Sequence, residues 1–311
     1  MMHELEGERR ALIAASAVAI GSMPLVPLLC GFSLDLMSFV PLFALAGVLA
    51  LFLAYVTWRR LDRLRPPLEA TVLGLLVVTP ILAMTYAAMR ADAPLADSAL
   101  IAMDRALGFD WPAFVRLVDR SAALSWLLGF VYSTFVFQLL AMPWLLGLSR
   151  RPGRAYEFVL AYLLLCALSA VISVPFPSLG AYVGHQFDAA SLRHLDSHFA
   201  HFFLDSFLAV RERSDFVLAA GDSAGIITFP SVHAGVAAIC AWAAWPTALR
   251  YPALALNLLM ALSAIPVGAH YLVDVIAGGF VALATVWIVR RLIRLTTAPA
   301  SSRAPALCQE A

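Results

Sequence analysis

YPALALNLLMALSAIPVGAHYLVDVIAGGFVALATVWIV, residues 251–289, contains one charged side chain, Asp274. A bilayer hydrocarbon core about 30 Å thick is crossed by roughly 20 apolar residues in a helix. The quoted run is long enough for two crossings. The run reads as two membrane helices, 251–269 and 270–290, joined by a tight junction near 270. Working outward, six further apolar stretches lie at about 11–32, 36–57, 69–89, 122–148, 155–176 and 231–249. Arginine- and proline-rich punctuation separates several of them, as in Arg59-Arg60-Leu61-Asp62-Arg63-Leu64-Arg65-Pro66 and Ser149-Arg150-Arg151-Pro152-Gly153. The junctions near 33–35, 250 and 270 are short enough to imply helical hairpins. Arg9 and Arg10 precede the first stretch as they would a signal peptide, but its length and direct passage into a second apolar segment mark a retained helix. The expected fold is an all-α, polytopic integral membrane bundle of about eight transmembrane helices with additional interfacial helices. Its expected parts are an N-terminal transmembrane hairpin over 1–68, a core over 69–295 and a disordered cytoplasmic tail over 296–311.

Composition excludes the main alternatives. Of the 311 residues 62% are hydrophobic and 13% charged, with mean hydropathy +0.86. A soluble domain carries about 25% charged residues, so this chain cannot cover a soluble surface. The net charge is +1, all 21 basic residues are arginine, and no long basic run occurs, which leaves no electrostatic footprint for nucleic acid. The expected partner surface is the bilayer. Cys30, Cys166, Cys240 and Cys308 show no paired spacing and read as small buried hydrophobes or bystanders.

Arginine placement orients the chain, because short cytoplasmic loops collect basic residues. Fourteen of the 21 arginines fall at the N-terminus, in the loops near 58–68, 149–154 and 250, and in the C-terminal tail. Both termini are thus expected in the cytoplasm of a bacterial inner-membrane protein. The long segments 90–121 and 177–230, which hold the other seven arginines, are expected to face the periplasm. Within them, 95–107 has helical apolar spacing and Asp110-Trp111-Pro112 looks like a helix start. Leu192, Leu195, Phe199, Phe202, Phe203 and Phe207 predict one amphipathic interfacial helix over 192–208.

Two local patterns carry chemistry. In Phe229-Pro230-Ser231-Val232-His233-Ala234-Gly235, Ser231 is a good N-cap and the first turn offers free backbone N–H groups, a ready anion site beside His233. In His270-Tyr271-Leu272-Val273-Asp274-Val275-Ile276-Ala277-Gly278-Gly279, His270 and Asp274 are four apart and share a helix face. An ionisable residue inside an apolar span is a functional candidate with its partner named. Here the carboxylate would take the imidazole Nδ1–H and leave Nε2 as nucleophile or base. By the expected topology both helix starts lie on one membrane face. A second cluster, His194, His198, His201 and Asp205, forms a polar stripe on the expected interfacial helix. It lacks a His-Glu-x-x-His arrangement and reads as a wet helix face, so no metal is expected.

Pro230-Ser231-x-His233 followed by His270-x-x-x-Asp274 resembles the second and third signature motifs of the type 2 phosphatidic acid phosphatase superfamily, membrane enzymes acting on lipid phosphates. The Phe-Pro-Ser-x-His-Ala-Gly and His-Tyr-x-x-Asp-x-x-Ala-Gly forms are most similar to the inositol phosphorylceramide synthase-like, inositolphosphotransferase branch. The resemblance implies a six-helix core with its site at the membrane surface. It implies His270 as the nucleophile that forms a phosphohistidine, Asp274 as its orienting carboxylate, His233 as general acid and base, and Ser231 with nearby backbone N–H groups as phosphate ligands. It implies a lipid phosphate or phospholipid substrate, with water or a lipid hydroxyl as acceptor, and no cofactor.

The chain departs from that pattern in three places. Ser263 matches the start of the third motif, but the arginine position is Ala264; the second motif's glycine is Val232; and the lysine-containing first motif has no counterpart. Arg59 and Arg65-Pro66 have the wrong spacing and the expected cytoplasmic side. Arg211, with Arg193 and Arg213 behind it, is the candidate substitute, because guanidinium binds phosphate bidentately. The alternatives are a lipid transporter or flippase and a catalytically inactive relative. Transport predicts charge and broken helices near the bilayer midplane, whereas Asp35, Glu157 and Asp274 lie near span ends and only Pro80 and Pro143 suggest kinks.

Overall fold

The computed structural model describes residues 2–91, 93–221 and 223–297. The expected tail from 298 on, with Cys308, lies outside the described residues. The chain begins with α1 (Met2–Ser22), a short α2 (Leu25–Cys30) and a two-residue strand β1 (Ser33–Leu34). Long α3 (Val40–Trp58) is followed by α4 (Arg65–Leu76) and α5 (Val78–Arg90). A first cap segment holds α6 (Asp97–Ala106) and α7 (Trp111–Asp119). Next come α8 (Ala122–Ser133), α9 (Phe135–Leu148) and α10 (Pro152–Ser173). A second cap segment holds α11 (Ala181–Gly184), a 3-10 turn (Ala189–Ser191), α12 (His198–His201), α13 (Leu204–Glu212) and strand β2 (Val217–Leu218). The chain closes with α14 (Val232–Ala244), α15 (Arg250–Val267) and α16 (Leu272–Thr297).

Among the described residues five helical runs are long and apolar enough to span a membrane: α3, α4 with α5, α10, α15 and α16. The pair α8 and α9, bent by 55°, makes a sixth if taken as one span. Of the eight expected stretches, those at 11–32 and 231–249 are not among these runs by length and composition. Helix α1 is long enough but carries Glu6, Glu8, Arg9 and Arg10 in its first half, and it ends at Ser22, before the short α2. The stretch expected over 231–249 ends as a helix at Ala244, before Pro246. The junction at 33–35 is not a bare hairpin either. Ser33 and Leu34 pair in parallel with Val217 and Leu218, clipping it to the second cap segment.

Helix α10 is the axis of the bundle, packed against α1, α4, α5, α9, α14 and α16. The N-terminal helix α1 lies on α10 and α16, while α3 lies along α4. One buried polar contact explains the first placement: the Arg9 guanidinium forks onto Glu69 of α4 at 2.6–2.9 Å, and Tyr156 Oη donates to the same carboxylate at 2.7 Å. A buried carboxylate needs such partners. The cap folds over one end of the bundle around an aromatic core of Trp111, Tyr86, Tyr182, Tyr271 and Phe207, all fully buried.

The cap helices at 97–106 and 111–119 form where helical spacing and the Asp110 cap predict them, with Ala113 N–H donating to Asp110 at 2.9 Å. The expected helix over 192–208 does not form as one piece. Asp119 at the end of α7 accepts the backbone N–H groups of Arg193, His194 and Leu195 at 2.8–3.1 Å. Those donors are removed from any helical ladder, so the segment is helical only at α12 and α13. Burial raises the Asp119 carboxyl, but the three N–H bonds outweigh it and leave it below its ordinary value.

Candidate active site

Helix α16 lacks a capping side chain at its own first position, Tyr271. Two carboxylates take that role. Asp274 turns back to accept the Tyr271 N–H at 2.9 Å, as in a capping box. Asp104 of α6 accepts the next two, from Leu272 at 3.0 Å and Val273 at 2.9 Å. The Asp274 oxygen that binds Tyr271 also faces His270 Nδ1 at 3.3 Å, and both residues are buried. The i, i+4 pairing expected from spacing is therefore present, with Nδ1 toward the carboxylate and Nε2 turned away from it.

The turn that carries His270 is held in an unusual shape. Ala269 is fully buried with φ +59°, a conformation costing about 1–2 kcal/mol for a residue with a Cβ. Its carbonyl accepts Ala181 N–H at 2.7 Å, the His270 N–H donates to Ala264 at 3.2 Å, and the Trp111 indole N–H donates to the His270 carbonyl at 3.0 Å. The missing motif arginine is thus replaced by a buried alanine whose carbonyl supports the turn. Ser263 also turns inward, donating to the Met260 carbonyl at 2.8 Å.

Ser231 caps α14 as expected, accepting Ala234 N–H at 3.3 Å, while its own N–H donates to the Asp274 carbonyl at 2.9 Å. This backbone bond joins the two motif helices. Their close approach runs over Gly235 and Gly278: a Cβ at Gly278 would collide with the Ser231 carbonyl, whereas Gly279 faces open space. Of the glycine pair noted in the sequence only the first serves the contact.

His233 lies near His270, with ring centroids 6.2 Å apart. Its ring stacks on Tyr132 at 4.3 Å and meets Phe135 at the same distance. Both histidines line a cavity of about 410 Å³ whose other walls include Ile81, Tyr132, Phe135, Tyr162 and the 223–228 segment. None of the described residues lining it is an arginine or a carboxylate. Helix α14, with 13 residues, is about 20 Å long, well short of the hydrocarbon thickness. Tyr132 lies near the inner end of α8, roughly 15 Å from that helix's start. His270 is buried and His233 half-buried.

The arginines are placed elsewhere. Arg211 spends its guanidinium on the carbonyls of Met89, Ala91 and Ala93 at 2.7–3.4 Å, tying α13 to the chain after α5. Arg193 is exposed on the stretch held by Asp119. Neither lines the cavity. The histidine stripe is split as well: His198 and His201 lie on α12, His194 precedes it and Asp205 follows on α13. Among the described residues no group of three or more metal-binding side chains comes together.

Asp104, Trp111 and Tyr132 were not legible as site residues. A faint signal existed for Asp104, since Asp97, Leu100 and Asp104 share one face of α6 and an acidic residue on an apolar face implies a buried partner. Asp97 too is engaged, accepting from Tyr271 Oη at 2.9 Å, Ser178 Oγ at 2.8 Å and Leu179 N–H at 3.1 Å.

A family model described as the PAP2 superfamily matches residues 98–288, from the first cap helix into α16. No curated protein and no solved structure matches the chain.

Proposed function

Because the chain belongs to the PAP2 superfamily, a phosphatase-type family of membrane proteins, we propose that it transfers a phosphoryl or phosphodiester group from a lipid through a phosphohistidine on His270. The observation that carries this reading is the convergence of His233 and the His270–Asp274 pair on one cavity. His270 Nε2 attacks phosphorus and the bond to the lipid oxygen breaks, while protonated His233 gives its proton to that leaving oxygen. Asp274 holds the Nδ1–H and stabilises the positive phosphoimidazolium. Water or a lipid hydroxyl then attacks phosphorus, passes its proton to His233 and releases His270. The N–H groups of Val232 and His233 in the first turn of α14 serve the phosphate oxygens, an arrangement suited to charge that shifts in the transition state. We place the site toward the periplasm of a bacterial inner membrane, with both termini cytoplasmic, on the arginine distribution.

The absence of arginine among the described residues lining the cavity favours the inositolphosphotransferase-like form of the reaction. A phosphodiester carries a single negative charge. A monoester carries close to two, and its second charge has no cationic side chain among the described cavity residues. An apolar site penalises such an unpaired charge. The decisive experiment incubates the purified chain with phosphorus-labelled phosphatidic acid and phosphatidylinositol, with and without an alcohol acceptor, and traps acid-labile phosphohistidine. Label on His270 that chases to the acceptor is expected. A fully active His270→Ala variant would sink the mechanism.

A further inference from the structure

We propose that Asp104 and Trp111, on the cap helices, are positioning residues for His270, holding the 268–273 turn in the shape that sets its imidazole between Asp274 and the cavity. This role rests on the reading of His270 as nucleophile.

The backbone before His270 is in the left-handed region at Ala269, and such strained positions persist only where surrounding contacts over-determine them. Besides Asp274, which accepts the Tyr271 N–H, the side chains bonded to the backbone of this turn are Trp111 and Asp104, both from the cap. Trp111 is fully buried and its indole N–H donates to the His270 carbonyl at 3.0 Å. The ring is set for that bond by His185 stacked parallel at 5.3 Å, with Tyr182 and Phe187 edge-on at 4.8 and 5.6 Å. Asp104, 1% exposed, uses one oxygen for Leu272 N–H and the other for Val273 N–H. Both oxygens are therefore committed to backbone, and the start of α16 is closed to a phosphate. Asp104 and Trp111 bracket His270: one fixes the carbonyl leaving it, the other the helix that carries Asp274. A shift of either would alter the 3.3 Å Nδ1–carboxylate contact and the aim of Nε2. Neither side chain lines the cavity, so substrate affinity is not their task.

The test compares the full chain in detergent micelles with Trp111→Phe, which keeps the ring and deletes the N–H, and Asp104→Asn, which keeps the shape and alters one acceptor. Turnover is measured with dioleoyl phosphatidic acid and phosphatidylinositol, and diethyl pyrocarbonate modification of each histidine is mapped by mass spectrometry. Trp111→Phe is expected to lower kcat about tenfold, a modest penalty for a displaced catalytic group, with KM unchanged. Modification of His270 should slow in parallel, while exposed His198 reacts at the wild-type rate. Unchanged kcat with an unchanged His270 rate, or a rise in KM alone, overturns the proposal. If Asp104→Asn does not fold, Trp111→Phe decides. A wild-type chain inactive on both lipids, or an active His270→Ala variant, overturns instead the nucleophile reading, and the His270 modification rates then settle on their own whether the two residues position the imidazole.

Discussion

Ser231 donates its backbone N–H to the carbonyl of Asp274 at 2.9 Å. Through this bond the cap of one motif helix rests on the first turn of the other, and the two histidines inherit a fixed spacing. The site is thus a property of the α14–α16 packing as much as of its side chains, and the packing can be attacked without touching either histidine.

Gly278→Ala places a methyl against the Ser231 carbonyl, whereas Gly279→Ala meets nothing within 4 Å. Overpacking a tight contact costs about 1–3 kcal/mol. The first variant should lose activity and thermal stability, and the second should retain both. Circular dichroism melts beside turnover of the same preparations check the pair.

The roles of the two histidines separate by leaving group. His233→Ala should cut turnover of an alkyl phosphate ester by about 10²–10⁴-fold, the usual worth of general acid catalysis. With p-nitrophenyl phosphate, whose leaving group needs no proton, the loss should be much smaller. His270→Ala should abolish both reactions. Equal losses in the two variants on both substrates would contradict the assignment of His233.

Arg211 was the best candidate phosphate ligand by sequence, but its guanidinium binds main-chain carbonyls at 89, 91 and 93. Arg211→Gln should therefore lower the thermal midpoint and leave KM for the lipid unchanged. A large rise in KM without loss of stability would return it to the phosphate site.

Asp119 ties the 193–195 backbone to α7 through its charged carboxylate. Its carboxyl lies below the ordinary value in the folded chain, so its stabilisation is complete above the unfolded value of about 3.9 and is lost as pH falls through the lower folded value. Amide exchange at Arg193, His194 and Leu195 should stay slow from neutrality to about pH 4 and accelerate below it. Asp119→Ala should make those amides exchange fast at every pH.

The legible features share a short range. The apolar runs, the Asp110 and Ser231 caps and the i, i+4 spacing of His270 and Asp274 depend on residues within a turn or two, and each is found in the structure. The misread features were periodic patterns overruled from outside. Residues 192–208 have a helical apolar face, yet Asp119 removes three of their N–H groups. The apolar stretches at 11–32 and 231–249 fold as a helix with a charged first half and as a 13-residue helix. Arg211 has the chemistry for phosphate but meets carbonyls first.

By itself the sequence determined that this chain is a helical membrane protein, that its charge is too sparse for water, and that a histidine–carboxylate pair opens its last helix. Those outcomes follow from hydrophobic periodicity and covalent neighbours. Only the tertiary structure decided that Trp111 and Asp104 grip the His270 turn across more than 150 residues of chain, that the histidines face a cavity with no arginine among its described lining residues, and that Gly278 rather than Gly279 lets the motif helices meet. Bonds between distant segments leave no period in the chain, because one buried polar group needs only one partner, and the fold alone selects which.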